Sequence, residues 1–587
     1  MQRRPARGDL HSFKTARSCF ALALFLASAW AGALHARGAD PGREASAAPA
    51  LPSVVKEAFG RFRPAAMAAH DKFLASDLLE GRGPGTRGGS LAIEYIAAQL
   101  AAAGLEPGGD QGTFFQKIAL IGSTLDAPKS SLSLVPQTGS STGPLKYLDE
   151  FVATNPSQTD TSTLDSEIIF VGHGAIAPEY QWDDYKGVDV RNKTLLMLVD
   201  DPPATSQEPD LFKGKARTYY GRWTYKFEMG TGMAAQAVLL IHTDAAAGYP
   251  WSVVRNSWGG ESAAVRRTEG TPALACAGWI TERVAAELCR KAGLDLGELT
   301  KAAASRQFRP VALPVRLRGH LHSNLRTFET ANVIGRLPGA DSSLAREAVL
   351  YTAHHDHLGV GEPDETGDRI YHGAIDNASG CAILLEMARV WAETKPAPKR
   401  SLIFNAVAAE EQGLLGSAYF GQHPTLPAGR IALALNYDAI PQLGRVRDVT
   451  LLGVERTTFL ATAQRITQSL QLAIVPDPQP EQGHYYRSDH FSLAKVGIPA
   501  FSIDPGLDVI GKPAGWGQTQ SDAYRERQYH QPGDRFDPKW DWSEGVQMAE
   551  LGFWLGWDAA NASEMPMWLP GDEFRPAREK SLEALGR

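Results

Sequence analysis

The chain contains little cysteine, with four residues in a length of 587. Cys19 lies in an N-terminal segment that we expect to be removed, which leaves three. An odd and sparse set does not build the disulfide framework typical of small secreted domains. Cys276 and Cys289 could form one pair, and buried free thiols, Cys381 among them, are the alternative. Stability must then come from hydrophobic cores, and the length predicts two or three domains.

A long basic run and an internal repeat are also absent. The formal net charge is −7, so neither nucleic acid nor an anionic membrane is indicated as a partner. No fixed period recurs along the chain, which excludes a repeat array. The composition is that of an ordinary globular protein, and the mild acidic excess mainly favours solubility.

A short apolar run, residues 19–33, distinguishes the N-terminus. The small residues Ala31-Gly32-Ala33 end it, and five basic residues precede it: Arg3, Arg4, Arg7, Lys14 and Arg17. A basic flank, a short apolar run and small residues at its end describe a secretory signal peptide. The run is short for a membrane span, and an uncleaved anchor is the alternative. We predict a signal peptide at residues 1–36 and an exported protein, periplasmic or secreted, without a stable membrane anchor.

The later part of the chain alternates strand-like and helix-like segments. The predicted strands are 348–353, 401–407, 431–437 and 499–503, and the predicted helices are 377–390 and 459–471. This alternation predicts an α/β fold with a mixed, mostly parallel sheet and helices on both faces. Between residues 120 and 318 short β-like runs alternate with loops rich in Gly, Pro and Asp. We expect a separate β-rich domain there.

Candidate metal ligands stand at the ends of the predicted strands. His354 ends the first strand, and Asp356 could hold the other ring N–H of a metal-bound histidine. Histidines also stand at 355 and 357, so an unrelated surface cluster is the alternative. Asp376 opens the helix DNASGCAILLEMARV, which it could merely cap together with Asn377.

Three more acidic positions and one histidine complete the set. Glu410 and Glu411 end the strand SLIFNAV, although a solvated helix start also favours glutamate. Asp438 ends IALALNY, where it is a ligand or a cap, and His530 lies in the loop QYHQPGD. Chemistry in α/β proteins collects at the carboxyl ends of sheet strands. Two histidines and three carboxylates, one of them free to bridge, suit two zinc ions that activate one water.

Six local sequences occur in a familiar order: HHDHLG, GAIDNASG, AAEEQGLLGSAYF, LNYDAI, YYRSDHFSLAKVGIPAFS and QYHQPGD. Together they resemble the co-catalytic zinc aminopeptidases of metallopeptidase family 28, over residues 65–118 and 329–555. The stretch EIIFVGHGAIAPEYQWDDYKGVDVRNKTLLMLVDDPP resembles a protease-associated domain, an insertion typical of that family. The resemblance implies a zinc exopeptidase fold divided as follows: signal peptide 1–36, catalytic domain 51–122 and 319–565, protease-associated domain 123–318, and tail 566–587.

The resemblance implies a zinc-binding role for five residues. His354 and Asp438 would hold one Zn²⁺, Glu411 and His530 the other, and Asp376 would bridge the two. Every expected ligand is present in the sequence.

Two further residues have implied roles outside the ligand set. Glu410 would be the general base that takes a proton from the attacking water and delivers it to the leaving amine. Asp356 would orient His354. The family also tends to have a cis peptide bond after the bridging carboxylate, which here is Asp376–Asn377.

The leading hypothesis is an aminopeptidase that removes residues from unblocked peptide N-termini. A carboxypeptidase of the same fold, like the glutamate carboxypeptidases, would need a basic residue for the substrate carboxylate, and Arg487 is the candidate. Tyr485 or Tyr486 is the candidate for stabilising the tetrahedral intermediate. A glutaminyl cyclase would use one zinc ion and not the full ligand set, and a non-catalytic receptor-like homologue would have lost ligands that this chain keeps.

Overall fold

Strands and helices alternate through most of the chain. The structure, a computed structural model, describes residues 51–137 and 143–586, so the predicted signal peptide lies outside the described residues. The strands are β1 (Glu106–Pro107), β2 (Phe115–Leu125), β3 (Ser131–Pro136), β4 (Phe151–Thr154), β5 (Thr161–Phe170), β6 (Ile176–Ala177), β7 (Trp182–Asp183), β8 (Thr194–Leu198), β9 (Ala237–His242), β10 (Ser262–Val265), β11 (Cys276–Thr281), β12 (Val311–Leu337), β13 (Ala348–His354), β14 (Gly359–Val360), β15 (Ile370–Tyr371), β16 (Ser401–Val407), β17 (Ile431–Asn436), β18 (Asp448–Leu452), β19 (Ala473–Ile474) and β20 (Ala500–Pro505). The helices are α1 (Ser53–Phe59), α2 (Pro64–Leu74), α3 (Arg87–Ala102), α4 (Trp223–Gly232), α5 (Asp244–Ala247), α6 (Trp251–Trp258), α7 (Glu282–Lys291), α8 (Leu296–Ala303), α9 (Gly380–Glu393), α10 (Leu415–Gln422), α11 (Leu460–Ser469), α12 (Asp489–Lys495), α13 (Trp516–Arg527), α14 (Ser543–Asn561) and α15 (Arg575–Glu583).

Four parallel strands form the centre of the main sheet. They lie in the order β20-β17-β13-β16. Antiparallel pairing flanks them, by β18 on β20 and by β12 on β16. These four are the strands predicted from the sequence, with ends that agree to within two residues. The predicted mixed, mostly parallel sheet is therefore confirmed.

Helices cover both faces of this sheet. Successive side chains of a strand point to opposite faces, and in β13 the residues Val349 and Tyr351 join the core formed with α9 and α14. Leu350 joins a second core with Phe420 of α10 and Leu493 of α12. Every residue of β13, β16 and β17 is buried, as expected for strands covered on both sides.

A second sheet occupies most of the chain between β3 and β12. Its strand order is β12-β5-β8-β9-β11-β4, with β5, β8, β9 and β11 parallel, and separate cores cover its two faces. The 27-residue strand β12 belongs to both sheets. Its N-terminal part pairs with β5 and its C-terminal end pairs with β16. The predicted domain limits at residues 123 and 318 stay a prediction.

Aromatic rings join the second sheet's region to the main domain. Tyr219 contacts Tyr486 at 6.1 Å and Phe491 at 4.7 Å between ring centroids. The guanidinium of Arg456 lies 4.7 Å from the ring of Tyr485 and pairs with Asp572 and Glu573. This contact fixes the position of the segment before α4 relative to the segment before α12.

The C-terminal segment, which the sequence analysis treats as a tail, packs into the fold. Trp568 and Arg578 are fully buried, and Arg578 donates a hydrogen bond to the carbonyl of Ile431 at the start of β17. Cys276, Cys289 and Cys381 are buried free thiols, so the Cys276–Cys289 pair is not formed. No helix within the described residues is long and apolar enough to cross a membrane.

Candidate metal centre

The predicted ligands meet at one edge of the main sheet. The parallel strands β13, β16 and β17 end side by side, and His354 is the last residue of β13. Glu410 and Glu411 follow β16, and Asp438 follows β17. Asp376 lies in the turn Ala374–Ser379, which leads into α9, and its own backbone is not helical, with φ −109° and ψ 94°. Residues distant in sequence meet there because parallel strands share their carboxyl edge.

Asp376 contacts a histidine on each side. Its Oδ1 lies 3.1 Å from Nε2 of His354, which also lies 3.1 Å from Oδ1 of Asp438. Its Oδ2 lies 3.2 Å from Nε2 of His530, which lies 3.1 Å from Oε2 of Glu411. The peptide bond Asp376–Asn377 is cis, as expected.

These separations match the spacing of ligands around zinc. Ligand distances of about 2.0–2.2 Å in a tetrahedron put neighbouring ligand atoms about 3.3–3.6 Å apart. The four contacts at 3.1–3.2 Å lie just below that spacing. The residues are also the nitrogen and oxygen donors that zinc accepts. Two ligand groups that share Asp376 therefore fit two metal ions.

His357, which has no predicted role, also contacts the group of predicted zinc ligands. Its Nδ1 lies 2.6 Å from Oε1 of Glu411, and it forms a potential ligand trio with Asp376 and Glu411. A contact of 2.6 Å is a strong hydrogen bond and is shorter than the spacing between two ligands of one zinc ion. His357 therefore fits a supporting contact to Glu411, and His530 fits the ligand.

Asp356 has different contacts from those expected. Its carboxylate accepts hydrogen bonds from the backbone N–H groups of Glu410 and Glu411, at 3.0 and 3.3 Å. The carboxylate lies 3.8 Å from Nδ1 of His354, outside hydrogen-bonding distance. The backbone carbonyl of Asp356 lies 3.2 Å from that nitrogen instead. In this structure the backbone carbonyl of Asp356 makes the contact with His354, and the carboxylate holds the Glu410–Glu411 turn. The orienting role of Asp356 stays a prediction.

Two buried residues that sequence reasoning missed hold the loops in place. Asp534 accepts hydrogen bonds from the N–H groups of Ile375 and Asp376, at 3.0 and 3.1 Å. Arg82 donates to four backbone carbonyls around the site: Leu74, His355, His372 and Gly373. Asp534 ends the motif QYHQPGD, and Arg82 lies in LLEGRGPG. Neither local sequence indicates the hydrogen-bond partners, because those partners are far away in the sequence.

The buried histidines and carboxylates of this group shift each other's pKa values in opposite directions. Burial acts to lower the pKa of His354, but the charges of Asp438 and Glu410 outweigh it and hold that pKa well above its usual value. Burial acts to raise the pKa of Asp376, but hydrogen bonds from His354 and His530 hold it well below its usual value. Opposite charges at short range therefore outweigh desolvation.

Negative charge is in excess at the centre. Four carboxylates, those of Asp376, Glu410, Glu411 and Asp438, surround two imidazoles, and within the described residues no lysine or arginine forms an ion pair with them. Burial raises the pKa of Glu410 well above its usual value, and the charges of Glu411 and Asp438 raise it further against the effect of His354. Buried charge needs compensation, and bound cations would supply it.

The predicted tyrosines lie elsewhere. The hydroxyl of Tyr485 donates to the carbonyl of Ala500, and that of Tyr486 donates to Glu573. Both rings belong to the aromatic contact between the two sheets, so the structure does not support their predicted role at the site. Tyr529, which the sequence analysis missed, stacks on the ring of His530 with centroids 3.9 Å apart.

Comparison with known proteins identifies the segment that carries this centre. Residues 332–552 match the model of a family described as peptidase family M28. These residues are therefore similar to an M28 peptidase domain. The matched segment begins in β12, ends in α14, and contains all five predicted zinc ligands.

Two further proteins are similar to parts of this chain. A probable zinc metalloprotease of Pyrenophora tritici-repentis is 39% identical over 91 residues, 16% of this chain and 20% of that one. A glutamate carboxypeptidase 2 homolog of Caenorhabditis elegans is 34% identical over 126 residues, 21% of this chain and 14% of that one. The chain thus spans at most a fifth of the length of these two relatives.

Solved structures with a related outline include an aminopeptidase from Aneurinibacillus sp. strain AM-1. It has a TM-score of 0.46 and 17% identity, over 88% of this chain and 98% of that one. A zinc aminopeptidase from Bacillus subtilis has a TM-score of 0.39 and 15% identity, over 86% of this chain and 96% of that one.

Proposed function

We propose that the protein is a zinc-dependent exopeptidase with two Zn²⁺ per chain. The observation that carries the proposal is the pair of ligand groups that share Asp376 at spacings suited to zinc. His354 and Asp438 would hold one ion, and His530 and Glu411 the other. When bound, the ions would polarise the scissile carbonyl and lower the pKa of a water.

Glu410 is the proposed general base. Its carboxylate lies beside the ligand groups, with Oε2 3.9 Å from Nε2 of His354, and it belongs to neither ligand trio. The backbone N–H of Glu410 donates a hydrogen bond to the carboxylate of Asp356. This hydrogen bond fixes the turn from which the Glu410 side chain projects. The raised pKa of Glu410 makes it a better proton acceptor than a carboxylate in water. Glu410 would take the proton of the attacking water and transfer it to the leaving amine, a step that contributes about 10²–10⁴-fold.

The proposed reaction is release of N-terminal residues from peptides. The six motifs that resemble the co-catalytic aminopeptidases support this direction of cleavage. A carboxypeptidase is the second candidate, because a glutamate carboxypeptidase 2 homolog is among the relatives. The guanidinium of Arg487, which makes no ion pair or hydrogen bond with the described residues, is its candidate carboxylate-binding group. Residues 123–318 are proposed to be a protease-associated domain, supported by the second sheet, and export is proposed from the leader at residues 1–36.

The test is hydrolysis of aminoacyl-p-nitroanilides and short peptides by the protein without residues 1–36. The same peptides are assayed with acetylated N-termini and, separately, with amidated C-termini. Cleavage of free but not acetylated N-termini, abolished by a chelator and restored by zinc, is the expected result. Cleavage of acetylated peptides with resistance of amidated ones would replace the aminopeptidase by the carboxypeptidase. No cleavage of any of these substrates by the zinc-loaded protein would refute both.

A further inference from the structure

Asp504 is a carboxylate near the metal centre that has no positively charged partner. It lies in β20 and is partly exposed. Its Oδ1 accepts a hydrogen bond from the hydroxyl of Ser502 at 3.0 Å, and within the described residues no lysine, arginine or histidine forms an ion pair with it. It also belongs to neither group of potential metal ligands. The carboxylate of Asp504 is therefore available to a cation that comes from outside the chain.

The strand register puts Asp504 level with the proposed zinc ligand Asp438. Strands β17 and β20 are parallel, and Asn436 lies opposite Ser502. Asp438 and Asp504 each follow two residues later, at the carboxyl edge of the sheet where the proposed ligands meet. Adjacent strands are about 4.8 Å apart. Asp504 is therefore about one strand further along that edge than Asp438.

The two carboxylates also project from the same face of the sheet. Phe501 and Ile503 of β20 join the core formed with α14, so the alternation of side chains turns Asp504 to the opposite face, which α12 covers. Asp438 is held on that side as well, because Ser488, the residue before α12, donates a hydrogen bond to its Oδ2 at 2.6 Å. A group bound at Asp438 would therefore have Asp504 as its neighbour.

The charges around Asp504 are negative. Burial, together with the negative charges of Asp438 and Asp477, raises the pKa of Asp504 to about 7 against the effect of the hydrogen bond from Ser502. Asp477 has a potential partner, since its Oδ1 lies 3.3 Å from Nδ1 of His484. Asp438 is a proposed zinc ligand. Within the described residues, Asp504 is the one member of this acidic trio with neither role, and a bound cation would compensate its charge.

A positively charged side chain of the peptide substrate fits this position. The scissile carbonyl would lie at the proposed zinc ions, and a lysine or arginine side chain has its charge at the end of a long stem. Such a charge could contact Asp504 while the carbonyl stays at the metal centre. The contact would be a charge-assisted hydrogen bond, which is about twice as strong as a neutral one. An uncharged side chain would leave the carboxylate of Asp504 without a partner.

We propose that Asp504 binds the positively charged side chain of the first residue of the substrate. The free amino group of that residue is also positively charged, so the acidic side of the centre, next to Asp438 and Asp504, favours the first residue over the second. The inference rests on the proposed function and adds a substrate class: peptides that begin with lysine or arginine.

The test compares two first residues that differ in charge. Lysine and norleucine p-nitroanilides have side chains with stems of the same length, but only that of lysine ends in an ammonium group. The zinc-loaded protein without residues 1–36 is expected to cleave the lysine substrate with a kcat/KM about 10- to 100-fold higher than that for norleucine. Equal kcat/KM values for the two substrates would overturn the proposal without any variant.

Asp504→Asn should remove this preference. The amide oxygen can accept the same hydrogen bond from Ser502, so the variant keeps the local structure and loses only the charge. The lysine preference should fall below about threefold, mainly through a higher KM for lysine, while kcat/KM for norleucine p-nitroanilide changes less than about twofold. A preference for lysine that is unchanged in Asp504→Asn would overturn the proposal.

Asp508→Asn is the matched control. Asp508 follows the end of β20, is exposed, and pairs with Arg447 at 2.8 Å. The substitution removes the same charge from the same part of the chain and should leave the lysine preference unchanged. If Asp508→Asn lowers the preference as much as Asp504→Asn does, the effect comes from the overall charge, and the proposed contact with Asp504 is wrong.

Leucyl-lysine amide shows which substrate residue Asp504 binds. Its lysine is the second residue, so Asp504→Asn should change its kcat/KM less than about twofold. A loss with this substrate and none with lysine p-nitroanilide would assign Asp504 to the second residue and overturn the proposal.

The two proposals fail in different ways. Cleavage of lysine and norleucine p-nitroanilides with equal kcat/KM refutes the binding of a charged side chain and leaves the peptidase intact. Failure of the zinc-loaded wild type to cleave any of these substrates refutes the peptidase itself.

Discussion

Arg82 donates a hydrogen bond from Nε to the backbone carbonyl of His355 at 2.9 Å. The same guanidinium donates to the carbonyls of His372 and Gly373 at 2.7 and 2.9 Å. It therefore ties the loop after β13, which follows His354, to the turn that contains Asp376. One buried side chain sets the separation of two loops that carry proposed zinc ligands.

Arg82→Met is expected to weaken zinc binding. It leaves buried carbonyls without a donor, which costs about 1–3 kcal/mol for each group left unpaired. Removing a support behind metal ligands typically lowers metal affinity by about 10- to 100-fold. The measurement is zinc affinity by competition with a chelator, at a temperature where the apo variant is folded.

Arg400→Met is the control for loss of a buried arginine. Arg400 pairs with Glu347 and donates to the carbonyls of Ala559 and Ala562, away from the ligand groups. We expect it to lower the unfolding temperature without a change in zinc affinity. Zinc affinity that falls equally in both variants would show that Arg82 acts only through general stability.

Glu410→Gln is expected to keep both zinc ions and lose nearly all turnover. The amide is almost isosteric but cannot accept the proton of the attacking water, so about 10²–10⁴-fold of kcat should disappear. Metal analysis of the purified variant and steady-state kinetics together check this. Retained kcat would contradict the assignment of Glu410 as the base, and loss of metal would make Glu410 a ligand.

His530→Ala and His357→Ala should differ in zinc stoichiometry. His530 contacts both Asp376 and Glu411 at the spacing of ligands, so its loss should leave about one tightly bound ion per chain. Within the described residues the imidazole of His357 makes one hydrogen bond, to Glu411. Its loss should therefore weaken binding of the second zinc ion by about 10- to 100-fold and leave two ions at saturating zinc. Zinc titration followed by metal analysis distinguishes the two variants. If His357→Ala binds only one ion at saturating zinc, His357 is the ligand and His530 makes the supporting contact.

Stability should decline with rising pH because of Glu544. Its carboxylate is buried and accepts hydrogen bonds from the N–H groups of Leu443 and Gly444, and burial raises its pKa to about 8. The folded state thus holds a proton that the unfolded chain releases above its own lower pKa. This contribution is fully present below the unfolded pKa, near 4.5, and is lost as the pH rises through about 8.

Glu544→Gln should remove this pH dependence, since the amide oxygen can accept the same bonds without ionising. The free energy of unfolding is measured by denaturant at several pH values between 5 and 8.5. The wild type should lose on the order of 1 kcal/mol per pH unit relative to the variant across that window. Glu94→Gln, at an exposed position of α3, is the control, and parallel curves for Glu544→Gln and the wild type would contradict the prediction.

Sequence reasoning located the strands of the main sheet because their signals are local. Continuous apolar runs such as 401–407 and 431–437 are typical of strands buried on both faces. Three of the candidate ligands, His354, Glu411 and Asp438, could be named for the same reason. They stand at or just after the ends of such runs, and parallel strands bring those ends together. The contacts of Tyr485 and Tyr486 could not be predicted in this way, because the direction of a side chain after a turn depends on what packs against it.

The sequence by itself determined the ligand chemistry, the strands that carry it and the order of the motifs. Only the tertiary structure decided which buried groups support that chemistry. Arg82 and Gly373 are 291 residues apart, and Asp534 reaches Asp376 from 158 residues away. The partners of backbone carbonyls and of buried charges depend on which segments contact each other in the folded chain. A local sequence pattern does not predict those long-range contacts.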